Sequence, residues 1–179
     1  MEYCYDIALS FATENKDLAE KVYHYVRGQD IRVFFAPSPE AQTVLSGRNQ
    51  REVFYRIFGV EAEYVALFVS KEYVTKEVPM EEANIAFSTH KSDGKVIPVY
   101  LDGTPLPEEM FDPRSTNYFS SSNPAEIASH LANRIKMDRQ VTREGGNPAA
   151  LGNGMNIHDN TAGTQVFAQT INIGKKDNT

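Results

Sequence analysis

Apolar residues follow two different spacings along the chain, and each change of spacing marks an element. Residues 5–11, YDIALSF, form a short apolar run that ends in the polar Thr13, Glu14 and Asn15, as a buried strand does. Leu18, Val22, Tyr25 and Val26 then recur at i, i+4, i+7 and i+8, which puts one apolar face on a helix stopped by Gly28. Residues 31–35, IRVFF, predict a second strand closed by Pro37 and Pro39, with a long loop over 36–49 after it. Val53, Phe54 and Ile57 carry the next helix, which ends at Gly59. Residues 64–70, YVALFVS, are apolar almost throughout and predict a third strand buried on both faces. A helix over 79–89 leads to a fourth strand at 96–101, and a short strand around Asn117, Tyr118 and Phe119 precedes the last helix. That helix has Asn123 as N-cap, Pro124 at its first position and Glu126 three residues after the cap, with Ile127, Leu131 and Ile135 on one face.

Strands alternating with amphipathic helices predict a parallel sheet covered on both sides, so the fold class is doubly wound α/β of the flavodoxin-like kind with about five strands. Such sheets bind ligands outside the carboxyl ends of their strands, which directs attention to residues 11–15, 36–49, 70–82 and the loop after Leu101. Composition changes near Asp138: six of the 11 glycines, Gly145, Gly146, Gly152, Gly154, Gly163 and Gly174, crowd the end of the chain. This places a domain over 1–137, a flexible linker over 138–154, a short β-prone segment over 155–174 and a tail over 175–179, the whole region after the domain being mostly disordered. Residues 164–173, TQVFAQTINI, carry no charge and no proline and alternate polar with apolar, the composition of a cross-β segment with Asn and Gln ladders.

With 179 residues, 41% of them hydrophobic, the chain can bury one real core but hardly two. Its net charge of −6 lacks the basic footprint of a nucleic-acid binder. A single cysteine, Cys4, excludes a disulfide framework and fits a small buried residue of the first strand in a reducing compartment. No run approaches the ~18 apolar residues of a membrane span, and the opening Met1-Glu2-Tyr3 lacks a signal-peptide pattern, so a cytoplasmic protein is expected. Several chemistries fail on motif. No GxGxxG follows the first strand and no GxxxxGK[ST] is present. His24, His90, His130 and His158 show no metal-ligand spacing, so no metal is expected. Ser88-Thr89-His90-Lys91 matches SxxK without its partner motifs, and Ser70 ends the third strand where a phosphoacceptor receiver would carry Asp.

Four segments in register carry a resemblance. The first strand with its Tyr5-Asp6, apolar residues, Ser10 and Phe11 resembles the first box of TIR (Toll/interleukin-1 receptor) domains. The Pro-, Ser- and Gly-containing loop over 37–49, with Leu45-Ser46-Gly47, is similar to the TIR BB loop. Ser70-Lys71-Glu72-Tyr73 followed by Val78-Pro79-Met80-Glu81-Glu82 resembles the family's Ser-x-x-Tyr and its glutamate four residues after an aromatic. Ile97-Pro98-Val99 before Leu106-Pro107 looks like the fourth strand of the bacterial branch. The resemblance covers about 3–136, with one departure: Val78 stands at the family's usual tryptophan, and the chain has no Trp at all.

The resemblance implies a TIR fold and one of two roles, cleavage of NAD+ at its nicotinamide glycosidic bond or assembly without chemistry. NAD+ would be a substrate, and no cofactor is implied. Nicotinamide leaves as a neutral amine, so one carboxylate suffices where ordinary glycoside hydrolysis needs two. Counting from Val78 picks Glu82 as catalytic; Glu81 more simply complements the helix dipole. Phe11 and Ala12 would floor the nicotinamide or ribose, and Ser46, Gly47 and Arg48 would approach the phosphates, while Tyr73 is read as packing. The family analogy extends to homotypic TIR contacts through the BB loop, and the Asn-rich tail is similar to amyloid signalling motifs of bacterial immune effectors. Together these imply an effector of immune or antiphage defence that is activated by oligomerisation, with an upstream sensor bearing a similar tail; the alternative is a catalytically silent TIR adaptor.

Overall fold

The computed structural model describes residues 3–90, 93–112 and 118–143. Its elements are β1 (Tyr5–Phe11), a 3-10 turn (Thr13–Asn15), α1 (Lys16–Arg27), β2 (Val33–Phe34), α2 (Pro39–Leu45), α3 (Gln50–Arg56), a π-helical turn (Ile57–Glu61), β3 (Ala62–Val69), α4 (Lys71–Thr75), α5 (Glu77–His90), β4 (Val96–Tyr100), β5 (Phe119–Ser120) and α6 (Pro124–Arg143). The strands pair in parallel in the order β2-β1-β3-β4-β5, the flavodoxin-like order, so the expected fold class holds. That order reverses beside β1, and the crevice at the carboxyl ends of β1 and β3 is the place where such sheets bind ligands.

Alternation along β1 sorts its side chains between two cores. Ile7 and Leu9 join Val22, Val26, Tyr64, Phe68, Ile127, Leu131 and Ile135 on the side of α1 and α6. Ala8 joins Val65, Leu67, Val69, Phe58, Ala83 and Ala86 on the side of α3 and α5. Burial on both faces is why β3 reads as a continuous apolar run.

Five local expectations change. The second strand shrinks to Val33–Phe34, because the chain turns out of the sheet at once, with the Ser38 N–H bonded to the Phe35 carbonyl. The expected loop over 36–49 contains α2, whose N-cap Ser38 accepts from the Ala41 N–H at 3.2 Å with Pro39 at the first position. Gly59 does not stop a helix. It lies buried in the π-helical turn, where an added Cβ would stand 3.3 Å from Ile85 Cγ2, so close approach to α5 explains the glycine. Cys4 precedes β1 and is exposed rather than buried. The short strand is Phe119–Ser120, and Asn117 lies outside the described residues.

Helix α6 runs through the composition change at Met137 to Arg143, and its last turns are bonded to the sheet. Tyr64 Oη donates to Asp138 Oδ2 at 2.6 Å, and Arg139 pairs with Asp6 at 2.5 Å. Asp6 is buried, and burial alone would push its carboxyl up; hydrogen bonds from the Arg32 side chain and backbone, with the charges of Arg139 and Arg32, outweigh that and leave it below its ordinary value. The β-prone segment over 155–174 and the linker beyond Arg143 lie outside the described residues. Among the described residues no helix is long and apolar enough to cross a membrane.

Candidate active site

Two consecutive acids on α5 have opposite surroundings, because neighbouring helix positions are turned about 100° apart. Glu81 faces α3, where its Oε1 lies 2.7 Å from Arg51 Nε, and the same guanidinium reaches Glu77 at 3.5 Å. Glu82 faces the sheet and is only 6% exposed. Ser10 Oγ, at the carboxyl end of β1, is hydrogen-bonded to Glu82 Oε2 at 2.5 Å. The Ser10 oxygen is also 2.7 Å from Tyr73 Oη, and that phenol donates to the Pro79 carbonyl at 2.9 Å.

Sequence and topology bring these groups together. Ser70 ends β3 and caps α4, accepting from the Tyr73 N–H at 3.2 Å, which turns Tyr73 back under the sheet edge. Its own hydroxyl donates to Asn15 Oδ1 at 2.9 Å, tying the ends of β1 and β3 across the crevice. Pro79 in the first turn of α5 needs no partner for a missing N–H, and its carbonyl accepts from Tyr73. Burial raises the Glu82 carboxyl to about 8; the Ser10 hydrogen bond opposes this and the like charge of Glu81 adds to it. Burial also pushes the Tyr73 phenol well above its ordinary value, reinforced by the Glu82 charge.

The other candidate residues separate around this centre. Ala12 is fully buried beneath the crevice in the same core as Tyr73 and Ala83. Phe11 packs on the opposite side of the sheet from Glu82, its ring stacked on Phe35 at 5.4 Å. Ser46, Gly47 and Arg48 are exposed between α2 and α3, and Gly47 has φ +72°. That stretch is connected to α5 by the next helix, since Asn49 caps α3 and Arg51 of α3 holds Glu81 and Glu77. Val78 is 44% exposed, so the departure from tryptophan removes an aromatic surface at the start of α5. A cavity of about 400 Å³ lined by Cys4, Tyr5, Tyr23, Arg27 and Arg32 lies where β1 begins, away from Glu82. It does not mark the chemistry, because Ser10 and Tyr73 fill the space next to the carboxyl.

Sequence reasoning did not assign a site role to Ser10 or Tyr73. A serine inside the apolar run of the first strand was the available signal, since a fully buried hydroxyl requires a partner. Tyr73 is fully buried as packing predicts, but its hydroxyl is bonded at both ends of its reach.

Comparison with known proteins agrees with this architecture. A curated relative, the 3' cyclic ADP-D-ribose synthase AaTIR of Aquimarina amphilecti, is 31% identical over an alignment of 141 residues that covers 76% of this chain and about two fifths (42%) of the relative's length. Two solved structures share the fold. The TIR domain of the Toll-related receptor TRR-2 from Hydra magnipapillata matches with TM-score 0.54 at 13% identity, over 77% of this chain and 98% of that one. A metazoan TIR-STING receptor from C. gigas, solved with 2',3'-cGAMP, matches with TM-score 0.58 at 16% identity, over 74% of this chain and 40% of that one. The family model described as TIR domain matches residues 7–134, which span β1 through most of α6, and the chain therefore belongs to the TIR-domain family.

Proposed function

We propose that the chain is an NAD+-cleaving enzyme in which Glu82 acts on the bond between nicotinamide and ribose. The observation that carries the reading is a single carboxyl, Glu82, held out of water at the carboxyl edge of the sheet beside the β1/β3 crevice. Its relative's name, a cyclic ADP-ribose synthase, supports the same substrate class. As the C–N bond breaks, its electron pair goes to the nicotinamide nitrogen and positive charge develops on the ribose. A carboxylate in a low-dielectric crevice stabilises that charge far better than one in water. Water, or a hydroxyl of the same molecule, then takes the ribose carbon, giving ADP-ribose or a cyclic isomer. The exposed Ser46, Gly47 and Arg48 supply the surrounding contacts in this reading.

Assembly completes the proposal. The stretch around Gly47 contacts a second TIR domain, and the segment over 155–174 gathers chains so that weak contacts are occupied at roughly millimolar effective concentration. A defence role, with a sensor bearing a similar tail as trigger, fits such a device. The test is mass spectrometry of NAD+ incubated with the full chain across a concentration series. Nicotinamide should appear, with a rate per molecule that rises with concentration. A chain ending at Arg143 should lose that rate when dilute and regain it when fused to an unrelated oligomer.

Gly47→Pro is a sharper test of the contact. A proline holds φ near about −65° and cannot adopt the observed +72°, so the exposed stretch must change shape while the buried sheet stays intact. Activity should fall at every concentration, with an unchanged unfolding transition. A rate per molecule independent of concentration in the parent protein would remove the basis for this expectation.

A second reading is favoured by one observation: the exposed Val78 supplies no aromatic wall at the start of α5. A TIR adaptor that assembles without chemistry would look the same. It gives no nicotinamide at any concentration.

A further inference from the structure

The buried contacts around Glu82 need more protons than serine and tyrosine can provide. Three contacts run in file from Glu82 Oε2 to Ser10 Oγ (2.5 Å), to Tyr73 Oη (2.7 Å), to the Pro79 carbonyl (2.9 Å). A carbonyl carries no proton, so the Tyr73 hydrogen is committed to Pro79. The single Ser10 hydrogen can then serve Glu82 or Tyr73, not both. With Glu82 ionised, one contact therefore places two oxygens face to face with no hydrogen between them, in a region that excludes water. A neutral Glu82 supplies the third hydrogen and satisfies the whole file: Glu82 donates to Ser10, Ser10 to Tyr73, Tyr73 to Pro79.

We propose that Tyr73 is a positioning residue for Glu82: by drawing the Ser10 hydrogen to itself it makes the enclosed glutamate a proton donor, so the closed site holds the neutral acid and not the carboxylate. The claim that this acid then limits NAD+ cleavage rests on the function proposed above. The groups facing Glu82 agree with the assignment. From β1 there is Ser10, from α4 Tyr73 behind it, and from α5 the like charge of Glu81. Arg51 of α3 is directed at Glu81 and Glu77, and Lys76 at Glu14. Burial, which disfavours the carboxylate, acts in the same direction.

Two variants shift the acid in opposite directions. In Tyr73→Phe the Ser10 hydrogen is released to serve the carboxylate, so the midpoint for ionisation of Glu82 falls by about one pH unit or more. In Ser10→Ala the carboxylate loses its one donor while burial remains, so the midpoint rises. General loosening of the structure would instead admit water and lower both.

Infrared difference spectra of the full chain, parent against Glu82→Gln, read the neutral acid directly. Near neutral pH, where exposed carboxyls are ionised, the parent should show a carboxylic-acid carbonyl band that Glu82→Gln lacks. The band should vanish at lower pH in Tyr73→Phe and at higher pH in Ser10→Ala. The rising limb of kcat/KM for NAD+, which reports the free enzyme, should move with the band. No band in the parent, or an unmoved midpoint in folded Tyr73→Phe, overturns the proposal; if Tyr73→Phe does not fold, a fall of the midpoint in Ser10→Ala does so. A band that behaves as stated in a chain that cleaves no NAD+ refutes the proposed function and leaves the assignment of Tyr73 standing. Glu82-dependent cleavage without the band does the reverse.

Discussion

Glu82→Gln is expected to lower NAD+ cleavage by about 10²-fold or more, while Glu81→Gln keeps most of the parent rate. The glutamine amide has the shape of the carboxyl and can still bond to Ser10, so the crevice is preserved and only the capacity to form a carboxylate is lost. A neutral amide cannot offset the positive charge that develops on the ribose, and a preorganised carboxylate contributes several kcal/mol to that step, or about two orders of magnitude in rate at the least. Glu81 is directed to Arg51, a side chain 70% exposed, and an ion pair of that kind contributes little. Nicotinamide release measured beside circular dichroism checks the pair. Comparable losses in both variants, with folding intact, would take the role from Glu82.

The adjacency of the two acids shows how far the sequence could be read and where it stopped. Parallel strands buried on both faces leave long apolar runs, so β1, β3 and β4 could be placed by pattern alone, and α1 and α6 by their apolar faces. Glu82 is separated from Glu81 only by the resemblance, whose glutamate stands four residues after the position held by Val78. The 38–45 stretch has the pattern of a loop although Ser38 and Pro39 carry a cap and a first-turn proline, because a short helix that buries only Ala41 leaves almost no apolar period. Contacts between Ser10 and Glu82, 72 residues apart, leave no local trace, since only the crossing of β1 by α5 creates them. Phe11 stands at the strand end, but strand alternation sends its side chain to the α1 side and leaves Ser10 toward Glu82. The helix past Met137 was hidden for another reason: Asp138, Arg139 and their neighbours are polar, and they are held by Tyr64 and Asp6 of the sheet and not by an apolar face.

Folding stability should record the enclosed acid without any reference to catalysis. An acid whose value is raised from 4.5 to about 8 on folding binds a proton in the native state that the unfolded chain has released. Its contribution is fully present below pH 4.5, declines as the pH rises from there, and is gone above about 8. Over that window the parent should lose roughly 3 to 5 kcal/mol relative to Glu82→Gln, whose amide does not titrate. That is a large share of the about 5–15 kcal/mol that holds a domain of this size together. Asp6 contributes with the opposite sign and in a different window: its carboxyl lies below its ordinary value, so its share is present above 3.8 and lost only in stronger acid. Urea unfolding of parent and Glu82→Gln at a series of pH values separates the two effects, because Asp6 is common to both proteins. The variant should gain on the parent by up to about 1.4 kcal/mol per pH unit in the neutral range, the slope of one proton. Parallel curves for the two proteins would mean that Glu82 ionises in the fold as it does in water, and that the enclosure by Ser10 and Tyr73 opens readily in solution.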